Sequence, residues 1–219
     1  MEPRYFLVLA VALIMSWFAI GVLYNIRRGE KLLRWMQGGL PRIGERTTFR
    51  WLGSSVAHLV IAQGKGPTKR VEILLALAPR DVPWNWLYAV LRGRHDILIL
   101  RVDLNNAPRL ALELSNPKTW TGRLSLHQVQ QEGWQSQEYQ GQILMAPAGL
   151  LKLAAEFLER LQGAAQKLAP SYDRFSLRKE TPHLEVHLPF PDPKVDDAQA
   201  FFTALQDLAR AIHQPGSTE

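Results

Sequence analysis

The chain has 219 residues, no cysteine, and 26 Lys or Arg against 20 Asp or Glu, a formal net charge of +6. The lack of cysteine excludes disulfides, thiol catalysis and thiolate-ligated zinc, and fits a domain kept out of oxidising compartments. The length leaves room for one well-cored domain beyond an apolar N-terminal run, and the basic excess points to anionic surfaces such as membrane lipid or RNA.

Residues 5–24, YFLVLAVALIMSWFAIGVLY, carry no charge. As a helix they cover about 30 Å, the thickness of a bilayer's hydrocarbon core. We read residues 5–26 as a transmembrane helix. A cleaved signal peptide has a shorter apolar run that ends in small residues; this run passes directly into Asn25-Ile26-Arg27-Arg28 with no A-x-A site. Tyr5, Trp17 and Tyr24 supply aromatics near the ends, where interfacial anchoring wants them. Residues 25–50 carry Arg27, Arg28, Lys31, Arg34, Arg42, Arg46 and Arg50 against Glu30 and Glu45. By the positive-inside rule residues 1–4 are then translocated and the C-terminal part is cytoplasmic, and topology alone accounts for much of the basic excess.

Residues 27–46 read as a basic juxtamembrane segment. Its first part, RRGEKLLRWMQ, is expected to form a short helix on the membrane surface, with Arg27, Arg28, Lys31 and Arg34 toward anionic headgroups and Trp35 at headgroup depth. Residues 47–213 then form the cytoplasmic domain. Short β-branched and apolar runs predict strands over 48–52, 56–62 and 70–77. Between the last two, Gln63-Gly64-Lys65-Gly66-Pro67 is a hairpin connection and lacks the GxxxxGK[ST] pattern of a phosphate-binding loop. Asp81 as a cap and Pro83 in the first turn predict a helix over 84–92, with Trp84, Leu87, Tyr88 and Leu91 on its packing face and Trp86 off that face.

Strands over 96–102 and 109–114, joined by Asn105-Asn106-Ala107-Pro108, are expected to pair antiparallel. Residues 115–146 are polar and glutamine-rich without a sustained period, and are read as irregular. Leu150, Ala154, Phe157, Leu158, Leu161, Ala165 and Leu168 mark a long amphipathic helix, followed by strands over 172–179 and 183–188. Asp196 and Gln199 have capping-box spacing at the head of a last helix, whose stripe is Phe201, Phe202, Leu205, Leu208, Ala209 and Ile212. Residues 214–219 read as a flexible tail. The sum is an α+β domain of antiparallel strands with about three helices.

Candidate chemistry is sparse. His183 and His187 share a strand face about 13 Å apart, too far to hold one metal ion. His58, His95, His127 and His213 are isolated, and Gly53-Ser54-Ser55 does not complete a G-x-S-x-G elbow. No catalytic residue, metal, cofactor or small-molecule substrate is implied. Arg80, Trp86, Trp120 and Trp134 are the candidates for contact with a partner. Arg80, next to Asp81, has a structural reading beside the functional one, as a solvated neighbour of a helix cap.

The run KRVEILLALAPRDVPWNWLYAVLRGRHDILILRVDLNN, and the block FLERLQGAAQKLAPSYDRFSLRKETPHLEVHLPFPDPKVDDAQAFFTALQDLARAI, resemble the cytosolic domain of calumin, the coiled-coil-domain-containing endoplasmic-reticulum protein of the multipass translocon. The likeness lies in a strand leading to Arg80-Asp81, the helix with Leu87, Val90 and Leu91, the strand over 97–102, and an apolar strand closing in Leu188-Pro189 before a final helix. It implies one span followed by a cytosolic α+β domain that assists insertion or assembly of other membrane proteins. The sequence has neither that family's acidic domain before the span nor its long basic coiled coil, so calcium binding and ribosome-tunnel contact are not expected to carry over.

The leading expectation is a single-pass, non-enzymatic scaffold or accessory factor whose partners are the bilayer and a membrane-protein complex. Ribosome or RNA is a weaker partner reading. An anionic-lipid binding module and a membrane-tethered hydrolase are the alternatives.

Overall fold

The computed structural model describes residues 3–213; the expected tail and the first two residues lie outside the described residues. The chain is α+β, with six helices and nine strands among the described residues. Helix α1 (Pro3–Gln37) is followed by the short α2 (Leu40–Ile43), then strands β1 (Gly44–Trp51), β2 (Val56–Gly64) and β3 (Thr68–Ala76). Helix α3 (Pro83–Leu91) leads to β4 (Ile97–Leu104) and β5 (Leu112–Ser115). Next come α4 (Trp120–Gln131), the hairpin β6 (Gln135–Tyr139) and β7 (Gln142–Ala146), α5 (Leu151–Leu168), the hairpin β8 (Arg174–Leu177) and β9 (Leu184–Pro189), and α6 (Ala198–His213).

All nine strands join one antiparallel sheet in the order β1-β2-β3-β4-β9-β8-β5-β7-β6. One face carries the core. Leu59, Ile73, Leu100, Val186, Phe175, Leu112 and Leu144 point there from successive strands, to be covered by Leu32 and Met36 of α1, Ile43 of α2, Phe157 and Leu161 of α5, and Phe202, Leu205 and Leu208 of α6.

The opposite face is polar where α4 covers it. A register row across four strands, Arg101, Glu185, Ser176 and Glu113, joins Arg174 of the adjacent row. Arg174 donates to Glu113 Oε1 at 2.6 Å and to Glu185 Oε1 at 2.8 Å, Arg101 Nε donates to Glu185 Oε2 at 2.8 Å, and Arg178 and Ser176 also reach Glu113 Oε2. Burial alone would raise the Glu185 carboxyl, but the His187 hydrogen bond and the Arg174 and Arg101 charges carry it down to about 2.

Four expectations change. Residues 27–37 do not form a separate surface helix: α1 runs unbroken to Gln37, because Leu32 and Met36 are buried in the domain's core. β4 and β5 run in opposite directions but do not pair, since β9 and β8 lie between them. Residues 105–111 cross three strand spacings, about 14 Å, well within the reach of seven extended residues.

Residues 115–146 are ordered. Thr119 caps α4 by accepting from the Gly122 amide at 3.2 Å, and Gln140 and Gly141, both at positive φ, turn the β6–β7 hairpin. Finally, Asp197 and not Asp196 caps α6, accepting from the amides of Ala200 and Gln199, while Asp196 turns back to the Asp192 amide.

Glu113 is fully buried beneath α4 between two arginines. Glu113→Ala takes a shared buried carboxylate from both arginines, leaving Arg174 with Glu185 and Arg178 with Glu132, and is expected to lower unfolding stability by about 1–3 kcal/mol, read as a shift in the urea midpoint of the full chain in detergent.

Candidate functional site

All residues of 3–20 in α1 are exposed, and the helix is long and apolar enough to cross a membrane. From residue 21 onward the same helix turns one stripe inward, namely Gly21, Asn25, Gly29, Leu32 and Met36, spaced four, four, three and four apart. Small residues allow the approach. A Cβ on Gly21 would sit 2.1 Å from the Arg80 carbonyl oxygen, and one on Gly29 would sit 2.6 Å from the Trp51 indole.

Into this contact the β3–α3 loop, residues 77–82, delivers a polar knot. Asn25 Nδ2 donates to the Ala78 carbonyl at 3.1 Å and to Ser55 Oγ at 3.3 Å, and its Oδ1 accepts from Arg80 Nη1 at 3.2 Å. Arg80 forks onto Asp96, with Nη1 to Oδ1 at 2.8 Å and Nη2 to Oδ2 at 3.2 Å. The Ala78 amide donates to Asp96 Oδ1 at 2.8 Å, and Arg28 Nε lies 2.5 Å from Oδ2. Asp96 is nearly buried. Burial pushes its carboxyl upward, yet Arg80, the Ala78 amide and Arg28 hold it below the ordinary carboxylate range.

Aromatics close the same corner. Trp17 Nε1 donates to the Arg80 carbonyl at 2.9 Å, its ring lies 5.8 Å from that of Trp86, and the Arg80 guanidinium lies 5.0 Å from the Tyr24 ring centroid.

The structure therefore brings together Trp17, Tyr24, Arg28, Arg80 and Trp86. Arg80 is tied into this junction and is not a solvated neighbour of a cap. Asp81 is no helix cap either: Val82 holds the cap position, and Asp81 Oδ2 accepts from Ser54 Oγ at 2.6 Å. Sequence reasoning missed Gly21, Asn25 and Asp96. The periodic stripe was the available signal, but its small and polar members do not register as a packing face.

The remaining candidates lie elsewhere. Tyr5 is exposed on the free half of α1, and Arg27, Lys31 and Arg34 are exposed on its outer side. Trp35 turns inward, donating from Nε1 to the Asp196 carbonyl at 2.7 Å and meeting Phe201 edge-on at 5.4 Å, because α1 and not a surface helix carries it. Trp120 and Trp134 flank opposite ends of α4, about 18 Å apart along its axis, each beneath a guanidinium: Arg94 at 4.0 Å and Arg178 at 4.2 Å.

A cleft of about 190 Å³ beside Trp120 holds His95, whose Nε2 lies 3.1 Å from Asp173 Oδ2; Thr121 Oγ1 donates to the same oxygen at 3.4 Å. The Asp173 hydrogen bond raises the imidazole above its ordinary range. Thr121 and His95 thus share one carboxylate oxygen. Among the described residues no group of three or more His, Asp or Glu is arranged to hold a metal ion. His183 Nδ1 accepts from the Leu104 amide while His187 faces Glu185.

Gly21→Val must push the loop backbone away, and is expected to cost about 1–3 kcal/mol in a detergent melt. Gly163→Ala on α5, with open space around it, should be neutral or stabilising by up to about 1 kcal/mol. Because the folded Asp96 carboxyl lies below its unfolded value of about 3.9, its contribution is complete above that pH and is lost as pH falls through the folded value. Asp96→Asn is expected to shrink the acid limb of a plot of denaturant midpoint against pH, leaving the part that Glu185 contributes. Set against known protein families and curated protein sequences, the chain matches none of them.

Proposed function

We propose that the chain is a single-pass, membrane-anchored, non-enzymatic scaffold or accessory factor that assists insertion or assembly of other membrane proteins. The carrying observation is that α1 passes without a break from its apolar half into the sheet's core and is locked there through Asn25, Arg80 and Asp96. A flexible tether lets a domain tumble; a helix that is both anchor and core element gives the domain one height and one orientation against the bilayer. Such a fixed pose serves a protein that works by presenting a surface. The basic residues following the apolar run support a cytoplasmic domain and a translocated N-terminus. The paired state of Glu113, Glu185 and Asp96 also supports a structural use of the internal charges over a catalytic one.

Crosslinking the full chain in its native membrane, followed by purification in mild detergent, is expected to recover a defined membrane-protein partner in constant ratio. Gly21→Val, which loosens the pose without touching an outward surface, should lower that recovery several-fold. Recovery of monomer alone from several detergents would sink the reading.

A further inference from the structure

Helix α3 is apolar on the wrong side. Trp84, Leu87, Tyr88, Val90 and Leu91 are 61%, 54%, 55%, 49% and 77% exposed, and Ala89 is the helix's one buried residue. An amphipathic surface helix turns its apolar stripe to the core; here Trp84, Leu87, Tyr88 and Leu91, the expected packing face, look outward. A patch of this kind marks an interface, and its position says which one.

Depth is fixed by α1. The Trp17–Trp86 ring contact and the Gly21–Arg80 approach set α3 beside residues 17–21 of α1. The uncharged part of α1 that precedes these contacts, residues 5–16, is about 18 Å long, roughly 12 Å short of a hydrocarbon core of about 30 Å. The uncharged run continues to Tyr24 and makes up the difference. The stretch of α1 that completes the span is therefore the stretch that α3 lies against, and both sit at one depth. An embedded interfacial helix lies about 5–10 Å inside the headgroup boundary, which is close to the shortfall.

Charge agrees with this register. No acidic residue occurs from Val82 to His95. Arg92 and Arg94 follow the helix, both exposed, with the Arg92 guanidinium 4.9 Å from the Tyr88 ring centroid, and Arg123 reaches the Arg92 carbonyl from α4. Arginine stems that run over aromatic rings to a charged tip are suited to headgroup depth.

We infer that α3 is a second membrane element, an interfacial helix immersed in the leaflet on the domain's side of the bilayer, with Trp84, Leu87, Tyr88 and Leu91 against acyl chains and Arg92 and Arg94 among the headgroup phosphates. This rests on α1 being a span, and it makes the domain partly embedded, with the β3–α3 loop and the Asp96 knot at the bilayer surface.

The cysteine-free chain allows single labels. Full-length protein carrying Leu9→Cys, Leu87→Cys or Lys69→Cys, each labelled with an environment-sensitive fluorophore, is reconstituted into phosphatidylcholine and phosphatidylglycerol vesicles with and without acyl-chain nitroxide lipid. Leu9 reports the span, Leu87 reports α3, and Lys69 lies at the end of β3 away from α3. Quenching at Leu9 and Leu87 several-fold above that at Lys69 is expected. Quenching at Leu9 with Leu87 no different from Lys69 overturns the embedded helix and leaves the span standing. Absence of quenching at both removes the span and the embedded helix together. Leu87 is exposed, so its replacement leaves the fold intact, and no other protein is present to cover α3.

Discussion

Asp96 sits at the start of β4 and is held from three directions, by the Ala78 amide, by the fork of Arg80 and by Arg28 of α1. A carboxylate that is nearly buried must be paired to stay charged, and its partners come from two other segments, the β3–α3 loop and α1. One charge thus fixes the end of the sheet, the β3–α3 loop and helix α1 relative to one another. Asn25 completes the knot by satisfying the Ala78 carbonyl and accepting from Arg80. If the pairing is lost, α1 keeps its hydrophobic contacts at Leu32 and Met36, but the end nearest the apolar half loses its registration.

The two faces of the sheet divide the work. The apolar face, roofed by α1, α2, α5 and α6, carries the hydrophobic stabilisation. The polar face, under α4, is held by Glu113, Arg174 and Glu185, where the requirement that buried charges be paired selects one arrangement of β5, β8 and β9. α4 lies over this face with Thr121, Ser125 and Val129 inward, a stripe of small and polar side chains. That explains its absence from any reading based on apolar periodicity, which finds only helices whose inner face is greasy.

α3 shows the reverse failure. Its apolar positions are evident in PWNWLYAVL, and periodicity assigns them to a core because in water that is where such residues go. The rule holds only for a helix whose solvent is water. α3 is placed beside the stretch of α1 that completes the apolar run, and on the proposal that this run lies in a bilayer, outward and apolar are compatible there. Trp86, off the expected packing face, is the aromatic that meets α1.

By itself the amino-acid sequence determined what local chemistry can determine: the apolar N-terminal helix, the α+β class, the strands near residues 56–62 and 183–188, and the amphipathic α5 and α6, whose apolar periods are long enough to stand alone. Tertiary structure decided the rest. The sheet order, with β9 and β8 between β4 and β5, depends on pairings across 59 to 92 residues that no local pattern encodes. The continuation of α1 into the core depends on small residues at Gly21 and Gly29, whose value lies in what approaches them. The junction of Asn25, Arg80 and Asp96 joins three segments that are distant in sequence, and hydrogen bonds at that separation become visible only when the chain is folded.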